Sequence, residues 1–303
     1  MSHIEFSKRS SDNLEFYFQG WEPETESRAV VCLVHGLGEH TGRYAHVAAT
    51  LNAAGYVLLG FDLRGHGKSG GPRGHTPSYD ILMDDIGRLL DEAAARYPGL
   101  PRFLYGHSLG GNLVINYALR RNLPPNPLPT REGEQPSRLA LRERGAGGRG
   151  LFGVIATSPA LRLPAPPPAL QVALAKVMNR LYPALQMANG LALEGLARDP
   201  EVIRAYTGDP LVHNKISVRL ALEMLAAGEW AMAHAADFPL PLLLMHGTRD
   251  ILTSAQASAE FAAKVPAGRC TLKLWEGFYH ETHNEPEKAE VLGFVVRWLE
   301  IGR

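Results

Sequence analysis

The sequence predicts an α/β protein built on a mostly parallel, doubly wound sheet. Three observations predict it. Short apolar runs alternate with helical stretches along most of the chain. The runs are continuously apolar instead of alternating, as strands covered on both faces read. Nearly every run ends on a small or polar residue, the kind that lines the carboxyl edge of such a sheet, where ligands bind.

Residues 14–20 (LEFYFQG) read as a strand, and Ala29–Val34 (AVVCLV) is the first clear β-branched run, ending at His35-Gly36. Tyr56–Phe61 (YVLLGF) ends at Asp62, and 102–105 (RFLY) ends at Gly106. The runs 153–157, 240–245 and 271–275 end at Ser158-Pro159, His246-Gly247 and Glu276-Gly277. Helices are expected over 43–54, 79–97, 109–120, 254–264 and 286–301. In the second of these, apolar residues at 81, 82, 86, 89, 90 and 93 mark one face at a period of about 3.6 residues.

Two segments break the rhythm. Residues 122–150 are rich in Pro, Arg, Gly and Glu and are too long for an ordinary helix-to-strand connection, so they read as a surface insertion on the edge away from the site. Residues 161–238 open on Leu-Pro-Ala-Pro-Pro-Pro from Leu163 and continue through apolar stretches at 170–181, 191–196 and 218–227 that read as helices. Lying between two sheet strands, this segment is expected to form a helical cap. The chain thus divides into a core with a first part, 1–160, and a second part, 239–303, on either side of the cap at 161–238.

The chemistry starts at Gly106-His107-Ser108-Leu109-Gly110, a G-x-S-x-G pattern. The pattern alone is weak. A strand before it and a helix after it make it a nucleophile elbow, whose tight turn leaves room only for glycine beside the serine. A serine hydroxyl needs a base to take its proton, and the base needs a carboxylate to orient it. In chain order the acid and then the histidine should follow the serine. His234, His246, His280 and His283 are the histidines from residue 234 onward, and His280 sits in a loop just past the last strand. His283 is its close competitor, with a place at the start of the final helix or in support of the loop as the other reading. Asp250 follows the 240–245 strand by a short loop, whereas Asp199, Asp209 and Asp237 fall in the cap or at its edge. The oxyanion donors expected are the backbone N–H groups of Leu109 and of Leu37, which lies between two glycines after the first strand.

The motifs His35 to His40 (HGLGEH) with Gly42-Arg43-Tyr44, Asp62 to Ser69 (DLRGHGKS), Gly70 to His75 (GGPRGH), Gly106 to Gly111, Ser158 to Leu161 (SPAL), His246 to Asp250 (HGTRD) and Tyr279-His280 together resemble the monoacylglycerol lipase / lysophospholipase branch of the α/β hydrolases, a serine aminopeptidase S33-type hydrolase family. The resemblance runs from Trp21 to Leu299. It implies the α/β-hydrolase fold with a helical cap carrying an apolar acyl channel. It implies Ser108, Asp250 and His280 as triad, with Leu37 and Leu109 as oxyanion donors. It also implies carboxylic-ester hydrolysis through an acyl-enzyme, on monoacylglycerol or lysophospholipid-like esters. General carboxylesterase or thioesterase activity is the alternative within enzymes, and a non-catalytic small-molecule binding protein the alternative outside them. The 122–150 insertion departs from the family pattern.

Other classes fit poorly. Lys+Arg and Asp+Glu balance at 31 each, which leaves no basic footprint for nucleic acid. His35/His40, Asp62/His66 and His280/His283 match no metal spacing, and a serine mechanism needs no metal. No dinucleotide or phosphate-loop pattern is present, so no cofactor is expected. Asp62, Arg64 and His66 are expected to bond their own loop, and Glu39 and His40 to shape the oxyanion loop. Cys32 reads as a buried hydrophobe, and two cysteines in 303 residues make no disulfide framework. With no signal pattern and no apolar stretch of about 20 residues, a cytoplasmic location is expected by default. The proline-led apolar helices of the cap permit transient contact with a membrane surface. Oligomeric state is not legible.

Overall fold

The structure, a computed structural model, describes residues 1–10, 12–121 and 151–301. The expectation for 122–150 lies outside the described residues. The sheet strands, in chain order, are β1 (Ser2–Arg9), β2 (Glu15–Glu22), β3 (Ala29–Val34), β4 (Tyr56–Phe61), β5 (Arg102–His107), β6 (Leu151–Thr157), β9 (Leu242–Gly247) and β10 (Cys270–Trp275). They form one sheet in the order β1-β2-β4-β3-β5-β6-β9-β10. β1 and β2 are antiparallel to their neighbours, and the rest run parallel.

Successive residues of a strand point to opposite faces, and both faces are covered. On one face Val30, Cys32, Val34, Val57, Leu59, Leu104 and Val154 pack under α2 (Tyr79–Arg96) and α3 (Leu109–Arg121). On the other, Val31, Leu33, Leu58, Phe103, Tyr105, Ile155 and Leu243 pack under α1 (Ala45–Ala53) and α8 (Lys288–Ile301). That double burial is why these strands read as unbroken apolar runs. β10 departs from the expectation: it is the edge strand, and Leu272 and Leu274 are exposed.

The chain goes from β3 to β4 on one side, then crosses back to β5 on the other side of β3. Strand order therefore reverses at β3, which places the loop after β3 and the turn after β5 side by side at the carboxyl edge.

Residues 161–238 connect β6 to β9. They hold α4 (Ala169–Leu181), α5 (Pro200–Gly208), α6 (Val218–Ala233) and a small antiparallel pair, β7 (Gln186–Ala188) with β8 (Lys215–Ser217). The two ends of the segment differ. α4 buries no residue. α6 packs against the elbow helix, with Asn112 and Asn116 donating side-chain N–H groups to the carbonyls of Met224 and Ala227. A Cβ on Gly228 would lie 2.1 Å from the Leu161 carbonyl oxygen, so α6 sits as close as a glycine allows. The helix expected over 191–196 is only a 3₁₀ turn, Leu193–Gly195. α5 was not expected, although Asp199 caps it and Pro200 opens it, a standard helix-start signal. α7 (Ala255–Lys264) follows β9.

Candidate active site

β5 ends at His107 and α3 begins at Leu109, so Ser108 alone makes the turn between them. Its φ is 54°, a left-handed conformation that few residues other than glycine adopt. Neighbouring glycines make the turn possible. A Cβ at Gly106 would lie 2.3 Å from the Gly110 carbonyl oxygen, and one at Gly110 would lie 1.9 Å from that of Val34. The backbone is fixed by Ser108 N–H donating to Thr157 O at 3.0 Å, while Ser108 O accepts from Asn112 and Ala160 N–H. The residue is half-buried and faces a cavity.

That cavity of about 60 Å³ gathers four of the five residues singled out from the sequence: Ser108, Leu37, Leu109 and His280. Leu109 opens α3, so its N–H has no partner within its own helix. The fifth, Asp250, sits behind the imidazole. His280 Nδ1 donates to Asp250 Oδ2 at 2.6 Å, and the Asp250 side chain is fully shielded from solvent. Its Oδ1 accepts the N–H groups of Leu252 and Thr253 at 2.7 and 3.0 Å, and Oδ2 accepts Thr253 Oγ1–H at 2.8 Å. Burial alone would raise this carboxyl. The charge of His280 and the hydrogen bonds from His246 and His280 outweigh burial and hold it well below the usual carboxylate range. Burial pulls His280 down, but Asp250 more than offsets that and raises the imidazole above its ordinary value of 6.5.

The loop that carries His280 is tied on both sides. The Ser158 hydroxyl donates to His280 O at 2.6 Å, from a residue whose own φ is 44°. His280 and Glu281 N–H donate to Gly195 O and Leu196 O in the 3₁₀ turn of the 161–238 segment. His283, the competitor, does not line the cavity. It is buried, stacked on Tyr44, and neither ring nitrogen has a hydrogen-bond partner among the described residues. Asp209 instead pairs with His40 at 2.9 Å, and Asp199 caps α5.

Asp62, His66 and Glu39 bond as expected, but Arg64 departs: its guanidinium leaves its own loop for Asp12 and for Asp85 on α2. Asp62 accepts from Thr41 N–H, Thr41 Oγ1–H and Lys68 N–H. His66 Nδ1 meets Arg64 O. Glu39 Oε1 accepts Gly36 N–H at 2.6 Å and Tyr44 Oη–H at 2.8 Å, which holds the loop after β3.

Sequence reasoning missed one constellation. Arg43 donates to Glu39 at 2.6 Å and makes a two-armed contact with Glu281 at 2.8 Å through each nitrogen. Both carboxylates are buried. Burial raises Glu281, but Arg43 overrides that and holds it well below the usual range. Tyr206 stacks on the guanidinium at 4.7 Å. Glu39, Tyr206 and Glu281 line the cavity together with the apolar side chains of Leu163, Leu191, Leu196, Met224 and Leu252. Arg43 stood in the quoted Gly42-Arg43-Tyr44 motif and Glu281 beside His280, but nothing local joined them.

A family model described as serine aminopeptidase, S33 matches residues 25–125 and 139–287. A monoacylglycerol lipase of Mycolicibacterium smegmatis is 35% identical over 280 residues, which cover 92% of this chain and 90% of that protein. An uncharacterized abhydrolase domain-containing protein of Dictyostelium discoideum is 34% identical over 96% of this chain, and the match spans 28% of that protein's length. The crystal structure of a Paleococcus ferrophilus monoacylglycerol lipase superposes with a TM-score of 0.79 at 36% identity, covering 95% of this chain and 99% of that one.

Proposed function

Since the chain belongs to the serine aminopeptidase S33 family of α/β hydrolases, we propose that it hydrolyses monoacylglycerol-like lipid esters through an acyl-enzyme on Ser108. The observation that carries this reading is the cavity lined by the strained Ser108 and His280 together with Leu163, Leu191, Leu196, Met224 and Leu252 and the carboxylates of Glu39 and Glu281. His280 takes the Ser108 proton as the oxygen attacks the ester carbonyl. The N–H groups of Leu37 and Leu109 hold the tetrahedral oxyanion, and Asp250 keeps the imidazole in the tautomer that can accept the proton. His280 then protonates the leaving alcohol and afterwards activates the water that frees the acid.

The substrate class follows from the lining. The leucine and methionine side chains suit an acyl chain. Glu39, Arg43 and Glu281 set two carboxylates against one guanidinium, and this excess of negative charge favours a neutral polyol over an anionic headgroup. The cavity's 60 Å³ falls below the ~300 Å³ of ordinary ligand sites. Residues 161–238 therefore act as a cap that must shift to admit a long acyl chain.

The outer helix of the cap supplies the contact with lipid. Leu170, Leu174, Val177 and Leu181 are exposed along one stripe of α4, whose charged residues, Lys176 and Arg180, are both basic. A helix of that kind lies in an anionic membrane interface. No helix among the described residues is long and apolar enough to cross a membrane. The free thiols of Cys32 and Cys270 fit a reducing compartment, the cytoplasm.

A panel of monoacylglycerols and p-nitrophenyl esters of graded chain length tests the assignment. Turnover of long-chain monoacylglycerol, lost in Ser108→Ala together with fluorophosphonate labelling, is the expected result. Turnover of short soluble esters alone would replace the lipid reading by a general esterase. No labelling at Ser108 would leave a binding protein.

A further inference from the structure

A second imidazole reaches the same carboxylate oxygen as His280. His246 lies in β9 with its side chain fully shielded. Its Nε2 is 3.0 Å from Asp250 Oδ2, and its Nδ1 is 2.8 Å from Ser258 Oγ in α7. An ionised carboxylate only accepts, so Nε2 carries the proton and donates. In the neutral ring Nδ1 then accepts, and the Ser258 hydroxyl is its donor. Ser258 is itself buried and belongs to a different element from either partner. It selects the tautomer that presents N–H to Asp250; the other tautomer would turn a lone pair toward the carboxylate.

We propose that His246, locked by Ser258, is a positioning residue that sets how strongly Asp250 draws a proton onto His280. The inference rests on the reading of Ser108, His280 and Asp250 given above. A hydrogen bond to the charged form of a carboxylate stabilises that form and weakens its pull on a neighbouring base. Removing the His246 donor makes Asp250 more basic while Leu252 N–H, Thr253 N–H and Thr253 Oγ1–H still hold its position. His280 then keeps its proton to higher pH. Its other charged or titratable neighbours are His107 on β5, with ring centroids 4.8 Å apart, Glu281 in its own loop and Glu39 in the loop after β3. The variants below alter none of them.

The test is the pH profile of kcat/KM for the full chain with a soluble ester substrate. In His246→Leu the acid limb moves to higher pH by about one unit, the scale of one hydrogen bond to a charged group. His246→Gln, which returns an N–H near the Nε2 position, brings the limb back toward wild type. Ser258→Ala shifts it in the same direction as His246→Leu by a smaller amount, and with His246→Gln carries the test if the leucine variant does not fold. Acid limbs that coincide in wild type, His246→Leu and Ser258→Ala overturn the proposal even if kcat falls, because a merely structural role lowers activity without moving the limb. A shift to lower pH overturns it equally. Asp250→Asn separates the layers: wild-type turnover there removes the reading of Asp250 itself, whereas loss there with no shift in His246→Leu removes only the role of His246.

Discussion

Replacing Arg43 by methionine keeps most of the side-chain bulk but removes the cation between Glu39 and Glu281. Arg43 is 10% exposed and its two partners 2% each, so water cannot replace the lost hydrogen bonds. Removing one partner of a buried ion pair costs about 3–5 kcal/mol, because the carboxylate left behind stays unpaired. Unfolding entropy near 60 °C is about 2.1 cal/mol/K per residue. For 303 residues, a loss of about 4 kcal/mol then lowers the thermal midpoint by about 6 °C. The pH dependence has a definite sign. Glu281 is held below its usual range in the folded protein, so its stabilisation is present above the unfolded value of 4.5 and lost as pH falls through the folded one. In Arg43→Met the two carboxylates face each other, and protonation at acid pH relieves them. Scanning calorimetry from pH 7 to 4 should therefore find the gap between wild type and variant widest at neutral pH and narrowing as pH falls, first above 4.5 as the variant's raised carboxyls take protons and then below 4.5 as wild type loses the Glu281 stabilisation. A gap under 2 °C at pH 7, or one that stays constant down to pH 4, refutes the reasoning.

The remaining predictions concern the elbow, the base and the cap. Gly110→Ala places a Cβ against the Val34 carbonyl oxygen, so the first turn of α3 must move away from the loop after β3; ester turnover should fall at least about 100-fold, the scale of losing one oxyanion donor, and retained activity would contradict the elbow geometry. Because Asp250 raises His280, the acid limb of kcat/KM should have its midpoint above 6.5, and a midpoint below that value would show that burial wins over the carboxylate. Replacing Leu170, Leu174 and Leu181 by glutamine should reduce co-sedimentation with anionic vesicles while leaving turnover of a soluble ester unchanged. Equal sedimentation of the two proteins would remove α4 from the interface.

What could be read from the sequence follows from how local each signal is. β3, β4 and β5 were legible because both faces are covered, which leaves runs such as AVVCLV with no polar interruption. β10 was misjudged as a buried strand because one side of it meets solvent. Ser108 was legible because the turn demands glycine two residues before and two after it. Asp250 and His280 were legible because each follows a strand in the required order. The Glu39–Arg43–Glu281 cluster was not, since one of its bonds spans 4 residues and the others 238, and no period links them. Tyr206 completes that cluster from α5, which carries no sign of the residue it will face. The false helix over 191–196 is stopped by one local and one tertiary feature. Gly190 breaks the helical path with a φ of 68°, and Gly195 packs against Ile251 so closely that a Cβ would lie 2.5 Å from it.

The bonds from His280 and Glu281 N–H to the carbonyls of Gly195 and Leu196 have a mechanical consequence. The doorway and the proton acceptor share a hinge pin. Any swing that lifts the 193–196 turn off the sheet first pulls on the strand-end loop bearing the imidazole, so an open entrance comes with a slackened base. Amide hydrogen exchange at residues 280 and 281, slowed when a non-hydrolysable lipid analogue is bound, reads that linkage directly.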